Sequence, residues 1–400
     1  MTRAVALALI MLAAWADSVC AQEVGVDAFG DARVVKAPDA RSWRDGGLGK
    51  LRYGDGNVTP ELGEISGIGN AQLLPELSAY AHLRYEPTQR YPIDVVEAYT
   101  RYRPVSTTPW RWSVKTGAFF PPVSLENEGI GWTSLWTLTP SAINSWVGEE
   151  LRTIGGEAQF EWRGAEHQIE VTGALFGVND PAGVQLADRG WTFGDRPTGL
   201  FDRTRLPDVT LRPGQTAPIY SRPFQEIDGR VGWYAGLSWR WLDRGRISLL
   251  YYDNEADPSA TNGQFAWHTN FWSLGAETGI DNIVFKAQLM VGATEIAPLG
   301  HLSRTDFEAA YLLVGWDLGA WRLAGRIDQF STSGYSPSGL IDLSETGHAG
   351  TVALTWRPFD WLRITGELLY IDSDRGQRLL AGLPARAHDT QAQLAFRLFY

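Results

Sequence analysis

Ten basic residues stand out by type and position: Arg101, Arg111, Lys115, Arg230, Arg240, Lys286, Arg322, Arg326, Arg363 and Arg397. Each falls in or beside a run in which apolar and polar residues alternate, and each is read onto the polar side of that run. If such runs are strands enclosing an aqueous space, their polar sides form its wall. A charged ring around a passage selects ions of the opposite sign. The acids read onto the same wall are Glu97, Glu157, Glu161, Glu170, Glu277, Glu308, Asp328 and Glu367, fewer than its basic groups. The wall is therefore read as mildly favouring anionic solutes, with salt-bridged bracing as the alternative for any single arginine. A second group, Glu126, Glu128, Glu149, Glu150 and Arg152, lies within 121–154. That stretch is long enough to fold into the enclosed space as a constriction.

Other chemistries find little support. The six histidines (His82, His167, His268, His301, His348 and His388) are scattered. Neither Gly-x-Ser-x-Gly nor His-Glu-x-x-His occurs, so no nucleophile with a positioned base is legible and an enzyme is not expected. Cys20 is the sole cysteine, which excludes a thiolate metal site. No run of oxygen ligands resembles an EF-hand. No cofactor and no metal is expected. A net charge of -11 argues against nucleic acid, whose phosphates need a basic face.

The elements that must position the basic residues are strands. Residues 229–241 place Val231, Trp233, Ala235, Leu237, Trp239 and Trp241 on one face. Residues 283–294 do the same with Ile283, Phe285, Ala287, Leu289, Val291 and Ala293. Similar alternation runs through 110–120, 348–357 and 362–371. No apolar run after the N-terminus is long enough for a membrane helix, but alternating strands cross a bilayer without one. Between the strands, long and short connections alternate without a break from 104–109 through 372–389. A transmembrane barrel has that rhythm, with short turns on the periplasmic side and long loops outside. Tryptophans gather at the short turns: Trp316 with Trp321, Trp356 with Trp361, Trp239 with Trp241, and Trp110 with Trp112. They read as an interfacial aromatic girdle.

Fourteen strands are counted from residue 75 onward, and residues 46–54 and 61–69 are read as one further hairpin. The expectation is an all-β, antiparallel transmembrane barrel of 16 strands, with 14 or 18 as the neighbouring counts. Residues 1–21 read as a signal peptide, with Arg3, an uncharged apolar run from Ala4 to Trp15, and Val19-Cys20-Ala21 before the cleavage point. Residues 22–400 then form a single domain in the outer membrane of a Gram-negative cell. The last strand, ending Leu394-Ala395-Phe396-Arg397-Leu398-Phe399-Tyr400, is expected to close the barrel against 46–54. The 179–228 loop, rich in Pro, Asp and Arg, can be a solvated surface loop, a narrowing of the mouth, a cover for a neighbouring copy or a ligand site.

A strand entering Gly117-Ala118-Phe119-Phe120-Pro121, Glu126 soon after, and a strand ending Gly173-Ala174-Leu175-Phe176-Gly177-Val178-Asn179-Asp180 resemble the phosphate-selective porin family. The closing strand resembles that of Gram-negative outer-membrane porins generally. The resemblance implies a 16-stranded barrel, a narrow eyelet, a homotrimer in outer-membrane lipid, and passage of small hydrophilic or anionic solutes. Phosphate specificity in that family rests on clustered Arg and Lys. This chain has four lysines, and its 121–154 loop sets Arg152 among acids, a departure from that pattern. The expected function is passive diffusion of small hydrophilic solutes through a water-filled pore. A structural or adhesion barrel with a blocked lumen and a barrel enzyme are the alternatives.

Overall fold

The computed structural model describes residues 23–210, 219–242, 244–336, 338–339 and 341–400. Residues 1–21, expected to be a signal peptide, lie outside the described residues, Cys20 among them. Sixteen antiparallel strands close into one barrel. They are β1 (Glu23–Lys36), β2 (Val58–Leu74), β3 (Leu77–Tyr85), β4 (Ile93–Tyr102), β5 (Trp110–Phe119), β6 (Thr153–Arg163), β7 (His167–Gly177) and β8 (Gly232–Trp241). Next come β9 (Gly245–Asp253), β10 (His268–Ile280), β11 (Ile283–Ile296), β12 (Ser303–Leu318), β13 (Trp321–Gly334), β14 (Glu345–Phe359), β15 (Leu362–Arg375) and β16 (Arg386–Phe399). Every strand pairs with its neighbours in sequence, and β1 pairs with β16 to close the ring. Fourteen strands do follow residue 75.

The first hairpin is not the expected one. Residues 46–54 form no barrel strand; the closing partner of β16 is β1, from Phe29 opposite Phe399 to Lys36 opposite Ala392. Tyr400 extends the seam by donating to the Ala28 carbonyl at 2.8 Å and accepting from the Ala28 N–H at 3.2 Å. Only the second expected strand is real, since 61–69 falls within β2. Residues 37–57, which contain 46–54, are instead the first long loop, L1.

Alternation places one face of each strand outside. Val352 and Leu354 of β14 are 56 % and 46 % exposed, whereas Ala349 and Ala353 between such positions are buried. An exposed Leu or Val on a closed barrel is a lipid contact. Trp316, Trp321, Trp356 and Trp361 are exposed beside the short turns, and Trp321 stacks on Trp356 across β13 and β14 at 5.7 Å. The turn-end girdle is therefore outward-facing, as its amphipathic rings require.

The wall is uneven in height. β10 to β16 run 13 to 16 residues, while β3 to β9 run 9 to 11. Two long loops rise from the low side, L3 (120–152) and L4 (178–231). Both lean across the lumen onto the taller strands. Their buried aromatics, Trp136, Trp146, Trp191 and Phe193, join Phe271, Phe307 and Phe330 of the wall in one apolar core inside the barrel. Trp146 lies 5.6 Å from Phe271 and 5.4 Å from Phe307, ring to ring. The lumen face thus carries an apolar patch under the loops, with polar and charged positions around it.

Because the outward mid-strand positions meet hydrocarbon, Val352→Arg should cost about 2–4 kcal/mol, while Val352→Leu stays within about 0.5 kcal/mol. Reversible denaturant unfolding of the barrel in lipid vesicles measures both.

Candidate functional site

The site is built by loops that the barrel draws inward. L3 begins at Phe119-Phe120, where β5 ends, and carries the helix α1 (Ala142–Glu150), every residue of which is buried. Ser141 caps it, its hydroxyl accepting the Asn144 N–H at 3.3 Å. A loop buried this deeply must hand its backbone N–H groups to partners on the wall. Glu367 of β15 accepts from the Leu138 N–H at 2.6 Å and the Thr139 N–H at 3.1 Å. Asp328 of β13 accepts from the Ala142 N–H at 3.2 Å. Arg326 pairs with Glu126 of L3 at 2.6 Å and with Asp328 at 2.8 Å, and also donates to the Thr139 and Pro140 carbonyls.

L4 enters from the other side and carries the helix α2 (Val184–Arg189). Glu150, the last residue of α1, ties the loops together. Its carboxylate accepts from Trp146 Nε1 at 2.6 Å and from the Gly183 and Gln185 N–H groups at 2.9 and 3.1 Å. Burial outweighs these donors and pushes the Glu150 carboxyl up to about 8. Glu149 pairs with Arg189 of α2. Gly190, at φ 70°, lets the chain pass over β14: a Cβ there would sit 1.8 Å from a Glu345 oxygen that accepts the Trp191 N–H at 3.0 Å. Only glycine combines that φ with that approach.

Asp195 of L4 is the keystone. It accepts from Arg33 of β1 at 2.7 Å and from Arg52 of L1 at 2.8 Å. Burial alone would raise its carboxyl, but the two guanidinium groups outweigh burial and hold it well below the usual carboxylate range. Arg33 also pairs with Asp31, which takes Arg397 of β16 at 2.7 Å. Arg52 continues to Glu86, 2.6 Å away and shared with Arg84. One chain of alternating charge thus crosses the β1–β16 seam and reaches L1 and L4. Lys50 of L1, pulled down to about 7 by burial against the attraction of Glu345, anchors the same loop to β14.

What remains open between L3, L4 and the seam is a slot bordered by Glu64, Asn127, Thr133, Asp195, Arg196 and Arg397, with a cavity of about 10 Å³. That is room for roughly one water molecule. Near the short-turn ends of the strands stand further basic side chains. Arg111, Arg240 and Arg363 have no ion pair among the described residues, and Arg101 donates only to neutral groups, Ser113 and Gln159. The others are paired: Lys115 with Glu157 at 2.9 Å, Lys286 with Glu128 at 2.5 Å and Glu277 at 3.1 Å, and Arg322 with Asp317 at 2.9 Å.

The expected wall residues therefore divide. Arg101, Arg111, Arg240 and Arg363 lie near the short-turn ends of their strands, Arg397 borders the slot, and Arg326 is fully buried as a brace for L3. Arg230 is not on the wall at all. It lies in L4 just before β8, exposed, and pairs with Asp257 at 3.0 Å; the alternation of β8 does not extend to it. Of the constriction residues, Glu126, Glu149 and Glu150 are buried clamps, and Glu128 alone is half-exposed. Arg152 donates to the Val96 and Thr198 carbonyls at 3.0 Å and covers the Phe120 ring at 3.4 Å; burial pulls it down to about 9. Arg33, Arg52 and Glu64 escaped the sequence reading, and Asp195 entered it only as one of the acids of the 179–228 loop. The one available signal was Trp191 and Phe193, large apolar residues inside an otherwise charged loop. Ser66 and His82 are hydrogen-bonded at 3.0 Å, but both are buried under L3 and His82 Nδ1 has no partner among the described residues, so this pair lacks solvent access and shows no orienting acid there.

No family model and no curated protein matches the sequence. Among solved structures the chain is similar to the outer membrane channel DcaP of Acinetobacter baumannii, at 9 % identity over 94 % of this chain and 97 % of that one, with a TM-score of 0.57. It is similar to Salmonella typhi OmpF in complex with daunomycin, at 11 % identity over 94 % and 97 %, TM-score 0.53. It is also similar to OmpT of Vibrio cholerae, an outer membrane protein, at 9 % identity over 96 % and 100 %, TM-score 0.51. The likeness is one of fold. The chain is a closed 16-stranded antiparallel β-barrel, a fold it shares with these outer-membrane proteins, and these matches do not narrow it to the phosphate-selective family.

Removing the Asp195 charge leaves two arginines facing each other without their shared counter-ion. Asp195→Asn should lower stability by about 3 kcal/mol, whereas Glu128→Gln, at a half-exposed pair, should cost under about 1 kcal/mol. Denaturant midpoints of the two variants decide the order.

Proposed function

We propose that this barrel is a pore for passive diffusion of small hydrophilic solutes, with a mild preference for anions set at its periplasmic mouth. The observation that carries the reading is the slot between L3, L4 and the seam, bordered by polar and charged side chains, with Arg101, Arg111, Arg240 and Arg363 standing near the short-turn ends of the strands without a carboxylate partner among the described residues. Fixed charges of both signs around a passage favour polar solutes over apolar ones. Basic groups without a carboxylate partner add a positive potential that concentrates anions. Phosphate specificity has no comparable support, because most of the basic groups are already paired.

The width of the slot favours a second reading, a barrel sealed by its own loops. The two readings part on conduction. Copies of the pore meeting as a trimer would suit the outward face of β2 and β3, where Gly67, Gly69, Ala71, Ala79 and Ala81 present a low, flat surface.

Refolded protein in a planar bilayer should give stepwise conductance, and a salt gradient should give a reversal potential on the anion side. Replacing Arg111, Arg240 and Arg363 together by Gln should move that potential toward cations without abolishing the steps. A silent membrane would support the sealed barrel, and an unshifted potential would remove these arginines from the selectivity.

A further inference from the structure

The outer rim of the barrel carries a cluster that the pore does not use. Asp253 ends β9, Glu255 follows in the loop 254–267, and His268 opens β10. One ligand atom from each lies within 4.8 Å of the others. We propose that these three side chains bind a late first-row divalent metal ion, zinc foremost, with a fourth position open to solvent.

Geometry carries the proposal. His268 Nε2 and Asp253 Oδ1 are 3.0 Å apart. Two ligands held at about 2.0–2.1 Å from a tetrahedral ion stand about 3.3 Å from each other, so a metal takes the place of the shared proton with a shift of tenths of an ångström. The remaining oxygens are spoken for by groups that orient the ligands. Tyr251 Oη donates to Asp253 Oδ2 at 3.0 Å, and Trp233 Nε1 donates to Glu255 Oε1 at 3.1 Å. On the far side of the imidazole, Glu295 of β11 stands 3.9 Å from His268 Nδ1, itself fixed by Arg304 at 2.7 Å. A carboxylate behind a histidine that faces a metal sets the tautomer and raises the basicity of the ligating nitrogen. Glu255 has φ 53°, a left-handed conformation rare outside glycine and asparagine. Strain of that kind persists where surroundings impose it, and it turns this carboxylate toward the other two.

The chemistry of the set names the metal class. One imidazole with two carboxylates suits zinc and its neighbours better than calcium or magnesium, which take oxygen ligands alone and more of them. A second acidic group, Asp180, Glu226 and Asp228, lacks that quality. It offers no imidazole, and its oxygens accept backbone N–H groups of Ile227, Val178, Gly229 and Arg230, whereas in the proposed site one backbone N–H, that of Glu255, reaches Asp253 Oδ1 at 2.8 Å. The site on 253–268 lies next to the Trp233, Tyr251 and Trp272 rings, which meet at tilted angles. A bound ion there would staple the ends of β9 and β10 to the adjoining loop.

The test uses the full refolded barrel in detergent, stripped with chelator and titrated with zinc chloride by calorimetry, then with cobalt chloride by absorbance. One equivalent of zinc should bind, and cobalt should give the intense visible bands of a low-coordinate site. His268→Ala should abolish both signals. Glu295→Gln should weaken zinc by about 10–100-fold while keeping the stoichiometry. His167→Ala, at the opposite end of the barrel, should change nothing. Far-UV circular dichroism confirms that each variant is folded. Absence of zinc binding by the parent chain, or binding that survives His268→Ala, would overturn the assignment.

Discussion

Every backbone N–H and C=O in the hydrocarbon layer must find a partner within the protein, because no water is there to serve. The whole structure follows from that requirement. A sheet satisfies it only by closing, and closing needs the first and last strands to meet in register. Here that register runs from Phe29 opposite Phe399 to Lys36 opposite Ala392, with Tyr400 completing the ladder on Ala28. Once the ring is shut, each strand has one side in lipid and one in the lumen. The period of two in the sequence is the imprint of that division.

Closure also creates an interior that must be filled or wetted. Loops L3 and L4 fill most of it, and they bring apolar side chains and charges together. The aromatic group around Trp146 rests on the tall strands β10 to β13. The charges are met by opposite charges, several of them shared: Glu126 to Arg326, Glu345 to Lys50, Asp195 to both Arg33 and Arg52. Buried ion pairs of this sort contribute little net stability over an apolar replacement, since desolvation offsets their attraction. Their effect is positional. Asp195 can satisfy both arginines only where L4 crosses L1 and the seam, so the pairing fixes where the remaining slot lies.

The barrel was legible in the sequence because its signals are local: alternation along each strand, turn residues between strands, and tryptophans at the interface. The first strand escaped because its outward positions include Ala28, Gly30 and Ala32, small residues that do not register as an apolar stripe, while the glycine-rich 46–54 mimicked a hairpin. Arg230 was misplaced by carrying the alternation of β8 beyond its end. The constriction was legible only as a loop of suitable length. Its actual lock joins Asp195 to Arg33, 162 positions earlier, and its apolar half joins Trp146 of L3 to Phe307 of β12. Such pairings are set by how the ring closes, and nothing in the local pattern of either partner announces them. The cluster at Asp253, Glu255 and His268 is similar: its members look ordinary until the register of β9 against β10 brings them to one edge.

The account stands on the slot between L3, L4 and the seam being the route through the barrel. The described chain contains no cysteine, so a single introduced thiol is a unique label. Thr133→Cys places it on the border of the slot. Single-channel recording before and after adding a bulky methanethiosulfonate reagent tests the route directly. The account predicts open steps that fall sharply or vanish on labelling, with no change in the unlabelled parent. Steps of undiminished size after complete labelling would contradict it.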